Sequence, residues 1–139
     1  MQQRSPAQSY ALAAGVMLVA VGIAGFFYNG SFTSNHAVHD DMVGIFSVNG
    51  WSNTLHILTG VVGLAWASDP TRARAYAWGA GVLYVALGLW SFILGSGESI
   101  LSIVPVNGAD NVAHLLIGVA GLVAGAATGL APRRTTVAA

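Results

Sequence analysis

The chain has 139 residues, of which 55% are hydrophobic and only 7% are charged, and its formal net charge is zero. Soluble domains carry about 25% charged residues, so this composition predicts an integral membrane protein. A balanced charge gives no general attraction to nucleic acid, and the absence of cysteine excludes disulfides, thiolate metal sites and cysteine nucleophiles.

The first apolar run extends from about residue 10 to residue 28 and contains no charged side chain. About 20 helical residues cross a hydrocarbon core of about 30 Å, so the run is interpreted as the first transmembrane helix. A cleaved signal peptide also has a basic start and an apolar core. The run has a copy at residues 76–88, which favours a structural helix. The preceding residues 1–9 are expected to be a flexible tail.

A polar loop is predicted from residue 29 to residue 47, and it contains a cluster of histidine and aspartate side chains. Imidazole and carboxylate groups are suitable ligands for zinc and other divalent metals. A flexible polar loop would have the same composition, and the second half of the chain has no counterpart. We expect no bound metal, and the alternative is a site formed by His36, His39, Asp40 and Asp41.

Three further helices are predicted. The second covers about residues 51–67 and ends at Asp69-Pro70, because the residue before a proline disfavours helical backbone. Residues 71–74 are expected to form a turn, and residues 75–94 the third helix. A glycine-rich break and a short apolar connector at residues 99–105 follow. The fourth helix covers about residues 111–131 and leads into a flexible tail at residues 132–139.

One sequence pattern occurs twice. The pattern V-N-G-x-x-N-x-x-H-x-L-x-G-V-x-G-L matches residues 48–64 and again residues 106–122. The apolar run before each copy also repeats. The sequence therefore predicts one domain, residues 1–139, built from two repeats at about 10–68 and 76–131. Each repeat has two crossings, so the two repeats have the same orientation and are related by a pseudo-twofold axis along the membrane normal.

The arginines set the predicted orientation. All five lie at the amino terminus, the middle connection or the carboxyl terminus, and the two other loops contain neither arginine nor lysine. The positive-inside rule then places both termini in the cytoplasm. The predicted fold is an all-α bundle of four transmembrane helices with both termini cytoplasmic. The five residues are Arg4, Arg72, Arg74, Arg133 and Arg134.

Each copy of the pattern carries two asparagines and one histidine. The first asparagine is placed either to cap the helix that follows or to form the turn before it. The second lies three residues before the histidine, on the same helix face. We interpret these side chains as an interhelical network that joins both halves at the outer end of the bundle. The network consists of Asn49, Asn53, His56, Asn107, Asn111 and His114.

The alternative interpretation gives the histidines a function. Ionisable residues within a membrane are functional candidates. His56 and His114 could face each other as carriers of protons or ions, or as axial ligands of a b-type haem. No cofactor is expected from the first interpretation.

Glycines follow each histidine at helical spacing. Small residues at such positions allow two helices to approach closely, so these glycines are predicted to lie at helix contacts. The set is Gly60, Gly63, Gly118, Gly121 and Gly125.

The repeated signature, together with the Tyr-Ala-x-x-x-Gly-Val runs before it, resembles the small actinobacterial four-helix membrane proteins grouped as domain of unknown function 4383. Residues 105–116 are its most specific part, and the resemblance covers about residues 10–131. It implies a protein of a bacterial inner membrane, and it implies no activity or substrate.

No phosphate-binding loop, activated nucleophile or catalytic carboxylate pair is found in the sequence. The sequence therefore predicts a non-enzymatic scaffold or accessory subunit that contacts the lipid bilayer and assembles with a second copy or a partner membrane protein. The alternative function is a small transporter, or a proton, ion or haem-type redox carrier, that uses the paired His56 and His114.

Overall fold

The computed structural model describes residues 3–32 and 40–130, with side chains up to residue 129. In these residues four helices form: α1 (Pro6–Phe26), α2 (Gly50–Trp66), α3 (Pro70–Leu94) and α4 (Gly108–Leu130). Three of them, α1, α3 and the Gly108–Gly129 part of α4, are long and apolar enough to cross a membrane by length and composition. The mainly helical prediction is confirmed at this level. The predicted tail at 132–139, with Arg133 and Arg134, lies outside the described residues.

Helices α1 and α3 begin four and five residues earlier than predicted. At the start of α1, the Ser5 hydroxyl accepts a hydrogen bond from the Gln8 N–H, and the Gln8 side chain accepts one from the Ser5 N–H. Residues 6–9, expected in a tail, are therefore helical. The expected turn at residues 71–74 is likewise the first turn of α3, because Asp69 accepts a hydrogen bond from the Arg72 N–H at 2.8 Å and Pro70 occupies the first helical position. Proline is favoured there because its missing N–H would have no helical partner.

The two connections expected to be an irregular loop and an apolar connector contain short β-hairpins. Strand β1 (Asp40–Met42) pairs with β2 (Phe46–Val48), and β3 (Ser99–Ile100) pairs with β4 (Val104–Pro105), both antiparallel. The all-α prediction is wrong at these two places. Each turn has two consecutive residues with positive φ, Val43-Gly44 in the first and Leu101-Ser102 in the second. Such turns match the twist of paired strands, and the two turns occupy corresponding positions, 58 residues apart.

The helices pack as two close pairs, α1 with α2 and α3 with α4, while α1 also contacts α3 and α4. Alanines of α1 and α3, such as Ala11 and Ala77, are completely buried where these two helices meet. Helices α2 and α3 have fewer contacts with each other. Both hairpins lie at one end of the bundle, here called the hairpin end. The opposite end, called the arginine end, contains Arg72 and Arg74.

Close backbone contact holds each pair together. A Cβ placed at Gly60 would lie 2.8 Å from the backbone oxygen of Gly15, and one placed at Gly118 would lie 2.9 Å from that of Gly81. Gly63 and Gly121 face the rings of Tyr76 and Tyr10, and Gly125 faces the indole of Trp78. All five glycines named from the sequence thus lie against a neighbouring element.

Candidate functional site at the hairpin end of the bundle

The first asparagine of each motif caps its own helix and bonds to the opposite half of the chain. The Asn49 Oδ1 accepts a hydrogen bond from the Ser52 N–H at 2.9 Å, while its Nδ2 donates to the carbonyl of Ile103 at 2.8 Å. The Nδ2 of Asn107 donates to the carbonyl of Ile45 at 2.7 Å. Each acceptor lies in the hairpin turn of the other half. The starts of α2 and α4 are therefore each fixed by a hairpin from far away in sequence.

The carboxylate of Asp110 has no counterpart in the first half of the chain. Asp110 is buried, and its Oδ2 accepts hydrogen bonds from the N–H groups of Ser47 and Asn107, both at 3.1 Å. The corresponding positions in the other half carry Ser52 in place of the carboxylate and Pro105 in place of the donor. Pro105 has no N–H to donate, and Ser52 has no carboxylate to accept such a bond. The hydrogen bond between Ser47 and Asp110 therefore has no counterpart in the other half.

The second asparagine of the first motif joins α2 to the end of α1. Asn53 is completely buried, and its Nδ2 donates to the carbonyl of Asn29 at 2.8 Å. Its Oδ1 packs against Gly25 and has no hydrogen-bond partner within residues 3–32 and 40–130. Only a residue without a Cβ fits at position 25. The matching Asn111 is also buried, and its Oδ1 has no partner among the described residues.

The two histidines lie together between α2 and α4. Their ring centroids are 6.2 Å apart with the planes inclined at 59°, and the ring of Tyr84 lies 5.4 Å from that of His114. His114 is 7% exposed and His56 is half-buried. The Nδ1 atom of each ring is buried and has no hydrogen-bond partner among the described residues. The hydrogen bonds described above that join the halves in this part of the structure are thus those of Asn49, Asn107 and Asp110.

Unpaired buried polar atoms are rare in folded proteins, and each costs about 1–3 kcal/mol. Here two imidazole nitrogens of this kind belong to neighbouring rings, and the two histidines line two cavities. One cavity, of about 120 Å³, lies on the side of α2 and α3, and another, of about 130 Å³, lies on the side of α1 and α4. His56, His114 and Asp110 line both cavities. The histidine pair therefore lies in the wall between the two cavities.

Both cavities beside the histidines are small. Sites for drug-sized ligands measure roughly 300–1,000 Å³, and each of these cavities is well below that range. Haem ligation by the histidine pair stays a prediction.

The aspartates of the alternative metal cluster are engaged with the protein. Asp40 accepts a hydrogen bond from the Asn29 side chain at 3.1 Å, and Asp41 accepts one from the Ser47 hydroxyl at 3.0 Å. His36 and His39 lie outside the described residues. Within residues 3–32 and 40–130, no group of three or more potential ligands is placed to hold a metal ion.

Sequence reasoning did not single out the tyrosines that lie at the helix contacts. The rings of Tyr10 and Tyr76 lie 6.0 Å apart near the arginine end. The Tyr10 hydroxyl donates to the carbonyl of Ile117 at 3.0 Å, whereas the buried Tyr76 hydroxyl has no partner in the described structure. Their corresponding positions in the two repeats were the available signal. Tyr84 had no such signal, because the corresponding residue of α1 is Leu18.

The family comparison agrees with the sequence signature. A family model described as Domain of unknown function (DUF4383) matches residues 8–127, which is most of the chain and includes both copies of the motif. This match confirms the resemblance. The comparison with curated proteins gives no match, and neither does the comparison with solved structures.

Proposed function

The chain belongs to the DUF4383 family, and we propose that it is a multi-pass protein of the bacterial inner membrane that serves as a non-enzymatic scaffold or accessory subunit of a membrane complex. The distribution of apolar side chains carries this proposal. Large apolar residues are exposed on every helix, for example Val16, Leu58, Leu89 and Val123, each more than half exposed. Such a surface suits lipid and partner helices, because neither solvates polar groups.

In this proposal α2 is a fourth crossing. Its 17 residues span about 25 Å, slightly less than a hydrocarbon core of about 30 Å. The supporting observation is its packing along α1: Gly25 lies beside Asn53, and Gly15 lies beside Leu64. Because α2 accompanies a membrane-length helix in the opposite direction, its ends fall near the levels of the ends of α1.

Both termini lie in the cytoplasm in this proposal. Arg72 and Arg74 lie at the start of α3, and at this same end the Arg74 Nε donates to the carbonyl of Gly125 at 3.1 Å. The Ala7 N–H donates to the Thr128 hydroxyl at 2.9 Å, so the start of α1 adjoins the end of α4. The described arginines thus gather at one end, as the positive-inside rule requires of a cytoplasmic face.

Cysteine accessibility tests the topology, and the natural chain has no cysteine to interfere. We expect a membrane-impermeant thiol reagent applied to intact spheroplasts to label Leu101→Cys, in a hairpin turn where the leucine is 69% exposed. Arg72→Cys should be labelled only after the membrane is opened. Labelling of Arg72→Cys in sealed spheroplasts would refute the orientation.

Photo-crosslinking in native membranes tests the accessory role. A photoreactive residue at the exposed Leu58 should give adducts with a second copy or with another membrane protein. The same residue at the buried Ala77 should give none and serves as the control. Recovery of monomers alone from several exposed positions would contradict a scaffold role.

The unpaired Nδ1 atoms of His56 and His114 favour a second candidate function, a small proton or ion carrier. The discriminating variant is His56→Asn, which keeps a polar side chain of similar size. A carrier should lose flux in liposomes while its melting temperature in detergent is unchanged, and that result would remove the scaffold proposal. Absence of flux in the natural protein would remove the carrier.

A further inference from the structure

A pocket of about 380 Å³ lies where the start of α1 meets the end of α2. It is separate from the cavities beside the histidines, with which it shares no lining residue. The Gln8 Nε2 joins the two helices at this place, because it donates to the carbonyls of Ala67 and Ser68 at 3.1 and 3.0 Å. The pocket, here called the α1–α2 pocket, is lined by Arg4, Gln8, Leu12, Leu64, Ala67 and Ser68.

The lining changes from polar to apolar along the helices. Its rim at the arginine end contains Arg4, Gln8 and Ser68. Leu12 follows Gln8 on α1, and Leu64 precedes Ser68 at the end of α2, each by four residues. At about 1.5 Å per residue, both leucines lie about 6 Å further from the arginine end than the rim. The α1–α2 pocket therefore has a positively charged rim and an apolar floor.

In the second half of the chain an indole fills the corresponding place. A Cβ placed at Gly125 would lie 2.9 Å from the indole nitrogen of Trp78, so this ring packs directly on the backbone of α4. The corresponding residues of the first half are Ala67 and Leu12, and both line the α1–α2 pocket. The shorter leucine therefore leaves open a space that is filled in the other copy of the repeat.

Two arginines of this end differ in their partners. The Arg74 Nε donates to the carbonyl of Gly125, in a bond that corresponds to the one from Gln8 to Ala67. The exposed Arg4 guanidinium has no hydrogen-bond or ion-pair partner in the described part of the chain. Guanidinium presents a fork of N–H donors that matches the oxygens of a phosphate. No aspartate or glutamate among the described residues lines the pocket, so its rim is suited to an anion.

A phospholipid combines a phosphate with an apolar chain, and lipid surrounds the exposed faces of α1 and α2 in a membrane. A zwitterionic lipid also carries an ammonium group, for which this lining has no carboxylate. We propose that the α1–α2 pocket binds one anionic phospholipid, with its phosphate at Arg4 and an acyl chain against Leu12 and Leu64. The proposal rests on insertion of the chain in a membrane and not on its accessory role. Lipid binding by a protein that crosslinks to no partner would remove the accessory role alone.

Native mass spectrometry of the purified full-length protein measures which lipid stays bound. The protein in detergent is mixed with equal amounts of phosphatidylglycerol and phosphatidylcholine that carry the same acyl chains. We expect the bound lipid to show about a fivefold excess of phosphatidylglycerol, which is equivalent to about 1 kcal/mol for one arginine near the lipid head group.

Three variants locate the lipid. Arg4→Gln removes the charge of an exposed side chain and should reduce the excess to about equal binding. Arg72→Gln is the matched control, because Arg72 is exposed at the same end and does not line the pocket, and it should keep the fivefold excess. Leu12→Trp combined with Ala67→Gly reproduces the residues of the second half, so it should fill the pocket and reduce the binding of both lipids.

Glycerol phosphate, which has the phosphate without acyl chains, distinguishes a lipid from a free phosphate. At a concentration equal to that of the lipids it should leave phosphatidylglycerol bound, and displacement of the lipid would refute an acyl-chain site. Equal binding of the two lipids by the natural protein would overturn the proposal. Equal losses in Arg4→Gln and Arg72→Gln would also overturn it, and this comparison stands even if the double variant fails to fold.

Discussion

Replacement of Gly118 by alanine tests the close contact between α3 and α4. A Cβ at this position would lie 2.5 Å from the backbone nitrogen of Val85 and 2.9 Å from the backbone oxygen of Gly81. Neither neighbour is a flexible side chain that can turn away, so the two backbones must separate. A separation of roughly 0.5–1 Å forfeits a quarter to a half of the dispersion energy of the atoms that part.

The expected free-energy change has two opposing parts. Overpacking of a well-packed interface costs about 1–3 kcal/mol, whereas alanine is favoured over glycine inside a helix by about 1 kcal/mol. Gly79→Ala isolates the second part, because Gly79 also lies inside a helix and an added Cβ there meets nothing within 4 Å. We therefore expect Gly79→Ala to raise the free energy of unfolding and Gly118→Ala to lie about 1–3 kcal/mol below it.

Unfolding in mixed detergent micelles with increasing dodecyl sulfate, followed by helical circular dichroism, measures both variants against the natural protein. Gly60→Ala is a second test of the same reasoning, because a Cβ there would lie 2.8 Å from the backbone of both Gly15 and Val19. If Gly118→Ala and Gly79→Ala were equally stable, the backbones of α3 and α4 would not be in contact and the packing argument would fail.

Two further pairs of substitutions are expected to give different results for residues in corresponding positions. Tyr10→Phe should lower the free energy of unfolding by about 1 kcal/mol, because it removes a hydrogen bond to a backbone carbonyl. Tyr76→Phe should be neutral or stabilising, because it removes a buried hydroxyl that has no partner in the described structure. Equal losses of stability in the same detergent assay would contradict this. Ser47→Pro should cost about 3 kcal/mol, because it removes the N–H that bonds to Asp110 and rigidifies a strand residue. Pro105→Ala should cost under about 1 kcal/mol. If Ser47→Pro melted at the higher temperature, the stabilising role of the bond between Ser47 and Asp110 would be refuted.

The helices could be predicted because their signals are local. An uncharged apolar run of membrane length can be recognised without knowledge of the residues that pack against it. Helices α2 and α4 begin within three residues of the predicted positions. The start of α3 was missed although its signal is also local: Asp69-Pro70 ends α2 and caps α3 at once. The same dipeptide ends α2 and starts α3. Because it was interpreted only as the end of α2, the predicted start of α3 lies about one turn too late.

The hairpins could not be predicted in the same way. Turns with two positive φ angles favour asparagine and glycine. Here Val43-Gly44 has a glycine at the second position alone, and Leu101-Ser102 has neither residue. What holds the turns is remote: Asn49 and Asn107 donate to carbonyls 54 and 62 residues away. The sequence identified both asparagines as caps, and their second hydrogen bond requires the assembled bundle.

The differences between the two copies of the repeat carry more information about function than the similarities. Shared residues such as His56 and His114 occupy the wall between the two cavities and contribute to both. The residues that differ give the α2–α3 side Thr59 and Tyr84, and the α1–α4 side two apolar side chains. The histidines therefore do not distinguish the two cavities. Thr59 and Tyr84 do, because they give the α2–α3 cavity two hydroxyl groups at positions where the α1–α4 cavity has only Leu18 and Ile117.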